Sequence, residues 1–136
     1  MKHFGVYGLV FNLDHSKILL VKKTRGPYTD LFDLPGGTPE SGEDFSETLE
    51  RELQEEIGVS PKIKSCWHHI DFQIQKNSKG EDVEFHHSAE FCICEVDESK
   101  IVKIEDHDTS GAECVNVCER ELLSPLVVAA LNKISG

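Results

Sequence analysis

Three glutamates in five positions, Glu52, Glu55 and Glu56, are the residues of this chain best equipped to do chemistry. They lie between Gly37 and Val59, where a glycine turn leads into a helix and Gly58 stops it. At about 100° per residue, Phe45, Leu49, Leu53 and Ile57 recur every fourth position and form a buried stripe. Glu52, Glu55 and Glu56 fall in one arc of about 100° beside that stripe. Glu52 and Glu56 therefore border the core, where an unpaired carboxylate is costly and its pKa rises. A divalent cation held between them reverses that cost. Oxygen-only ligands that leave positions for water and phosphate suit Mg²⁺ or Mn²⁺ better than zinc. The competing reading is an acidic helix face that is simply solvated.

The residues around the glutamates argue against simple solvation. Gly37, five residues, Glu43, seven residues and then Arg51-Glu52-Leu53-Gln54-Glu55-Glu56-Ile57-Gly58-Val59 resembles the Nudix box of the Nudix hydrolases, MutT-like enzymes, at every specified position. The likeness extends to the Leu34-Pro35-Gly36-Gly37 entry, the strand order and the final helix. The resemblance implies Mg²⁺- or Mn²⁺-dependent hydrolysis of nucleoside diphosphates linked to another moiety. It implies that Glu52, Glu55 and Glu56 are metal ligands, one of them also a base in parts of the family. It further implies that Gly37 helps hold metal through its backbone and that Glu43 and Arg51 brace the loop–helix–loop. A further acid from a loop outside the box is common in the family. By its spacing from Cys114, where relatives often carry tryptophan, Asp108 is the favoured position; Glu105, Asp106 and Glu113 are its neighbours, and a solvated acidic loop is the alternative.

Charge constrains the substrate. A net charge of −11 disfavours a long nucleic-acid partner, which would need a basic face. A small phosphorylated substrate would also be repelled unless divalent cations or a local basic patch received it. Lys22, Lys23 and Arg25, just ahead of the Gly36-Gly37 turn, offer such a patch, with Lys23 and Arg25 the expected phosphate contacts. The alternative is a set of surface cations at a strand end. Tyr28, Phe32 and Trp67 are candidates to stack a base.

The elements that must position these residues read as follows. Phe4 to Asn12 and Ile18 to Lys23 are strands, and Leu31 to Leu34 is a short extended piece ended by Pro35. The helix runs from about Asp44 to Ile57, capped by Ser41 or Asp44; Asp44 with Glu47 fits a capping box. Ile63 to Gln75 and Asp82 to Val96 form a hairpin, Ala112 to Cys118 is a last strand, and Ser124 to Ile134 is a helix with Pro125 in its first turn. Strands dominate, so the expected fold is α+β, an α/β/α sandwich on a mixed sheet, with residues 1–136 forming a single Nudix-type domain.

His68-His69 and His86-His87 lie on the two hairpin strands and approach one another if Ser78-Lys79 centres the turn. Alternation lets at most one of each pair join a zinc site, and ordinary strand positions or dimer contacts are the competing reading. Five cysteines without small-scaffold spacing read as reduced thiols, Cys92 and Cys94 as core. No apolar run reaches the roughly 20 residues of a membrane helix, and the start lacks a signal peptide's h-region, so a cytoplasmic protein is expected. The long hairpin permits a homodimer. The expected function is hydrolysis of a diphosphate linkage by water attack on phosphorus. The alternative is a nucleotide-sensing module without turnover, though such modules often lose box glutamates that this chain keeps.

Overall fold

The computed structural model describes residues 2–58, 60–101 and 109–135, with 109 and 110 described by backbone alone. Its sheet is organised around β1 (Lys2–Asn12). This strand pairs in parallel along its length with β6 (Asp82–Val96). On its other edge it meets two partners in turn. The end of β1 pairs antiparallel with β2 (Lys17–Lys23), and Val6 and Tyr7 pair with β4, which is Gly36–Gly37. Outward lie β3 (Phe32–Asp33) and β7 (Thr109–Asn116) against β2, and β5 (Lys62–Lys76) against β6. The sheet is therefore mixed, as expected.

Alternation along β1 builds a core on each face. Val6 and Val10 join Leu19, Val21, Cys92 and Cys94 beneath α1 (Phe45–Ile57), which contributes Leu49, Leu53 and Ile57. Tyr7, Leu9 and Phe11 join Ile18, Leu20 and Phe91 on the opposite face. There α2 (Pro125–Ser135) covers them with Leu126, Val127 and Ala130. The Ser124 hydroxyl accepts from Val127 N–H at 3.2 Å and caps that helix. None of the described helices is long and apolar enough to cross a membrane.

Three expectations need correction. Phe45 does not belong to the buried stripe; it is 37% exposed and packs its ring against Phe4 and Trp67. As the first residue of α1 it extends past the edge of the core. Thr48 is buried instead, its hydroxyl satisfied by Glu43 Oε1 and the Asp44 carbonyl.

The histidine pairs do not face each other. His68 lies opposite Phe91, His69 opposite Glu90, His86 opposite Gln73 and His87 opposite Phe72, because the hairpin register differs from one centred on Ser78-Lys79.

Cys66 and Cys92 are not free thiols but a disulfide, with Cα atoms 4.4 Å apart. The register of β5 on β6 slips between Ser65 and His68, so Ser65 faces Ile93 and Cys66 falls beside Cys92. Cys94, Cys114 and Cys118 remain thiols. Alkylation of the unfolded, unreduced chain should therefore modify three of the five cysteines, as read by intact mass, and all five after reduction. Five modifications without reductant would contradict the bond.

Candidate active site

The loop before α1 is fixed by its own side chains. Asp44 caps the helix by accepting from Glu47 N–H at 2.8 Å, and Glu47 returns the bond to Asp44 N–H, completing the expected capping box. Gly58 ends the helix in the left-handed conformation at φ 70°. Between these ends Arg51 acts as a clamp. Its Nε and Nη2 donate to the two oxygens of Glu43 at 2.7 and 3.0 Å, a bidentate pair. Nη2 also reaches the Thr38 carbonyl at 3.3 Å, and Nη1 donates to Glu52 at 2.9 Å and Glu55 at 3.5 Å. The Arg51 hydrogen bonds, with the Glu40 and Thr48 donors, hold the Glu43 carboxyl down at about 2. One guanidinium thus ties the loop to the acidic face of the helix.

The three box glutamates differ in setting. Glu55 is exposed, Glu52 is half-buried and Glu56 is 6% exposed. Glu56 accepts from the Gly36 N–H at 3.0 Å. Burial pushes its pKa well above the usual carboxylate range against the pull of that bond, and the neighbouring charge of Glu52 pushes it further. This is the desolvated pair expected from the helical wheel.

The β4 glycines make the close approach to Glu52 and Glu56 feasible. A Cβ on Gly37 would lie 2.6 Å from Glu52 Oε1, and one on Gly36 would lie 2.2 Å from the Val6 carbonyl oxygen. The donors on offer to a cation are therefore hard oxygens packed against bare backbone. That set fits Mg²⁺ or Mn²⁺ and does not fit a soft metal. Arg51 Nη1 occupies Glu52 and Glu55, and no cluster of three or more His, Cys, Asp or Glu among the described residues is arranged to hold a metal ion.

Glu52, Glu55, Glu56, Gly36 and Gly37 line one wall of a cavity of about 470 Å³. Lys23 and Arg25 line the same cavity, so the expected cations and carboxylates are brought together. Lys22 is set apart, its ammonium over the Phe32 ring at 5.9 Å. Of the stacking candidates, Tyr28 lines the cavity, whereas Phe32 and Trp67 do not. Glu113 lies exposed in β7 opposite Leu20. Asp108, Glu105 and Asp106 lie outside the described residues.

Sequence reasoning missed the far wall of the cavity, made by His3, Tyr7, Asp33, Phe85 and His87. Asp33 is buried and accepts from the Ser124 hydroxyl at 2.7 Å; burial raises its pKa. His87 is 2% exposed, and burial, with His3 and Lys23 nearby, holds its pKa down at about 3. The alternation of β6 carries the signal for it, since His87 shares a face with the apolar Phe85, Ala89 and Phe91.

The depression has a consequence for pH. Between pH 6.5 and about 3 the unfolded chain takes up a proton that the folded chain refuses at His87. Stability contributed by the neutral ring is thus present above 6.5 and is lost as pH falls through that window. Urea midpoints measured from pH 7 to 4.5 should fall more steeply in the wild type than in His87→Gln. Parallel slopes would show that His87 titrates normally.

The NUDIX domain profile matches residues 1–132. An ADP-ribose pyrophosphatase of Methanocaldococcus jannaschii is 48% identical over 50 residues, 37% of this chain and 30% of that relative. The curated relatives are matched over about a third of their own lengths or less. Among solved structures, a MutT NUDIX hydrolase of Burkholderia pseudomallei superposes with a TM-score of 0.72 at 18% identity, covering 98% of both chains. The NUDIX domain of Shewanella oneidensis NrtR, complexed with ADP ribose, gives 0.71 at 17% identity, covering 98% of this chain and 89% of that one. At these identities the superpositions establish the fold, and the expected α/β/α sandwich is the one found.

Proposed function

This chain belongs to the NUDIX family, and on that premise we propose that residues 1–136 act as one catalytic domain that hydrolyses a diphosphate linkage in a nucleoside diphosphate derivative. The observation that carries the reading is the pairing of buried Glu56 with Glu52 on the wall of a cavity that also presents Lys23 and Arg25. Two crowded carboxylates beside two cations suit a polyanion that arrives with divalent metal and suit little else in an acidic protein.

In this reading Glu52, Glu55 and Glu56 hold Mg²⁺ or Mn²⁺, with the Gly37 backbone alongside. When bound, the cation neutralises charge developing on the leaving phosphate and lowers the pKa of the attacking water. The chain's own residues do the rest. Glu43 and Arg51 fix the loop on the helix, so that Glu52 and Glu55 keep their spacing. Lys23 and Arg25 receive the phosphates and orient the scissile bond. Water attacks phosphorus, a box glutamate or Asp108 takes its proton, and the bond to the bridging oxygen breaks to leave two monophosphates.

ADP-ribose is the first substrate to try, because relatives carry that activity in their names. Incubated with MgCl₂, the protein should release AMP and ribose 5-phosphate, and EDTA should stop the release. Nucleoside triphosphates, ADP-sugars and dinucleoside polyphosphates complete the panel. Tight binding with no product from any member would favour a sensor over an enzyme.

A further inference from the structure

The loop that carries Arg25 into the cavity is pinched at its neck and able to bend beyond it. Lys23 N–H donates to the Leu31 carbonyl at 3.0 Å and Asp30 N–H to the Lys23 carbonyl at 2.9 Å, which closes the neck. Gly26 and Asp30 are both left-handed, at φ 86° and 71°. An added Cβ on Gly26 would meet nothing within 4 Å. Arg25, Gly26, Pro27 and Tyr28 line the cavity of the box glutamates. The returning limb of the loop is anchored inward through Tyr28, which is 3% exposed and whose hydroxyl lies 2.8 Å from His87 Nδ1.

The outgoing limb, residues 25–27, has a different support. Behind the loop lies a second cavity, of about 550 Å³. Pro27, Tyr28 and Leu31 form one side of it, and Phe72, Ile74 and Val128 form the other. The loop is thus a partition between two spaces, and close packing does not back it from the rear. A hydrogen bond reaches it across the end of that space. Ser78 N–H, at the tip of the β5–β6 hairpin, donates to the Pro27 carbonyl at 2.9 Å. The tip is itself firm. The Asn77 carbonyl accepts from Gly80 N–H, and the Asn77 side-chain oxygen accepts from the Lys79 and Glu81 amides, each at 3.0 Å.

Resting on the reading of the site given above, we propose that Ser78 is a positioning residue for the substrate: its backbone N–H holds limb 25–27 against the cavity, so that the hairpin tip strengthens phosphate binding without touching the ligand. A limb free to swing toward the rear cavity must be ordered when substrate binds, and that ordering weakens affinity. A bond already made in the free protein removes part of that penalty. One exposed backbone hydrogen bond is worth about threefold to tenfold in affinity. By linkage, bound substrate must strengthen the Ser78–Pro27 bond by the factor by which the bond strengthens binding.

Ser78→Pro isolates the N–H. Ser78 is the second residue of the turn over 77–80, a position where proline is favoured, so the hairpin keeps its turn. Ser78→Ala keeps the N–H and loses only the hydroxyl. The probe is the methylene analogue of whichever compound in the panel above binds most tightly with Mg²⁺, and Kd is measured by calorimetry. Ser78→Pro should raise Kd about threefold to tenfold, and KM for the parent substrate with it, while kcat stays within about twofold. Ser78→Ala should match the wild type. In the wild type, saturating analogue should slow hydrogen exchange at the Ser78 amide by the same factor and leave Gly80, bonded within the tip, unchanged. An unchanged Kd in a folded Ser78→Pro, an equal rise in Ser78→Ala, or Ser78 exchange indifferent to the analogue overturns the inference while leaving the diphosphate site standing. Binding of no member of the panel removes the site reading and the inference with it. The exchange measurement needs no variant, so it decides the question even where Ser78→Pro fails to fold.

Discussion

Replacing Glu56 by glutamine is expected to lower Mg²⁺-dependent turnover about a thousandfold, equivalent to ~4 kcal/mol of transition-state stabilisation, while leaving the protein folded. The two halves of this expectation come from different features of one residue. Glu56 is buried beside Glu52 and accepts from the Gly36 N–H. Glutamine has the same shape and retains an oxygen acceptor for Gly36, so the local backbone keeps its partner. It lacks the second anionic oxygen and the charge that a hard cation requires. In EDTA the variant should be at least as stable to urea as the wild type, because it removes a buried like-charge contact that no cation offsets. The pair of measurements separates chemistry from folding. Full activity in Glu56→Gln would show that this carboxylate holds no essential metal. An unfolded variant would show that its charge, not its shape, maintains the structure.

The second large effect is on stability and sits in β4, 20 residues earlier in the chain but in contact with the same glutamate. Gly36→Ala should destabilise the fold by about 3–5 kcal/mol, read from urea unfolding. Gly36 has φ 145°, which L side chains rarely adopt. An added Cβ would also meet the Val6 carbonyl oxygen at 2.2 Å and the Tyr7 Cα at 2.7 Å. Both obstacles are backbone of the central strand, so neither can move without disturbing the pairing of Val6 with Gly37 and Tyr7 with Gly36. Gly37→Ala provides the contrast. Its Cβ would meet the carboxylate end of Glu52 at 2.6 Å, a flexible group that can swing aside. That variant should lose little stability and much activity, because Glu52 is displaced from the acidic face. Equal destabilisation by the two substitutions would contradict the distinction.

How legible the molecule is from its sequence depends on the range of the interaction. The box helix could be read almost to its ends, because a capping box, a four-residue apolar repeat and a stop glycine are all local. The bordering position of Glu52 and Glu56 followed from the same repeat. The hairpin strands were legible for a similar reason. Phe45 was misread because a helical wheel has no ends: it marks a face but does not show that the first turn overhangs the core. The Cys66–Cys92 bond was hidden by a slip in register between Ser65 and His68, which regular pairing does not predict.

The far wall of the cavity was hidden more deeply. Tyr7 and His87 are brought together by the parallel pairing of β1 with β6, a contact between strands 80 residues apart. Nothing in either strand announces its partner. What the sequence could show was that His87 shares an inward face with Phe85 and Phe91. Weighing the His86-His87 pair as metal ligands obscured that alternation.

The central claim is that water attacks phosphorus at a site built on Glu52, Glu55 and Glu56. Hydrolysis of ADP-ribose with MgCl₂ in ¹⁸O-labelled water tests it most directly, with the two monophosphate products analysed by mass spectrometry. The account predicts one ¹⁸O atom in the phosphate of one product and none in the phosphate of the other, with turnover about a thousandfold lower in Glu56→Gln and no product in EDTA. Label in neither phosphate, or product formed at the wild-type rate without divalent metal, would contradict it.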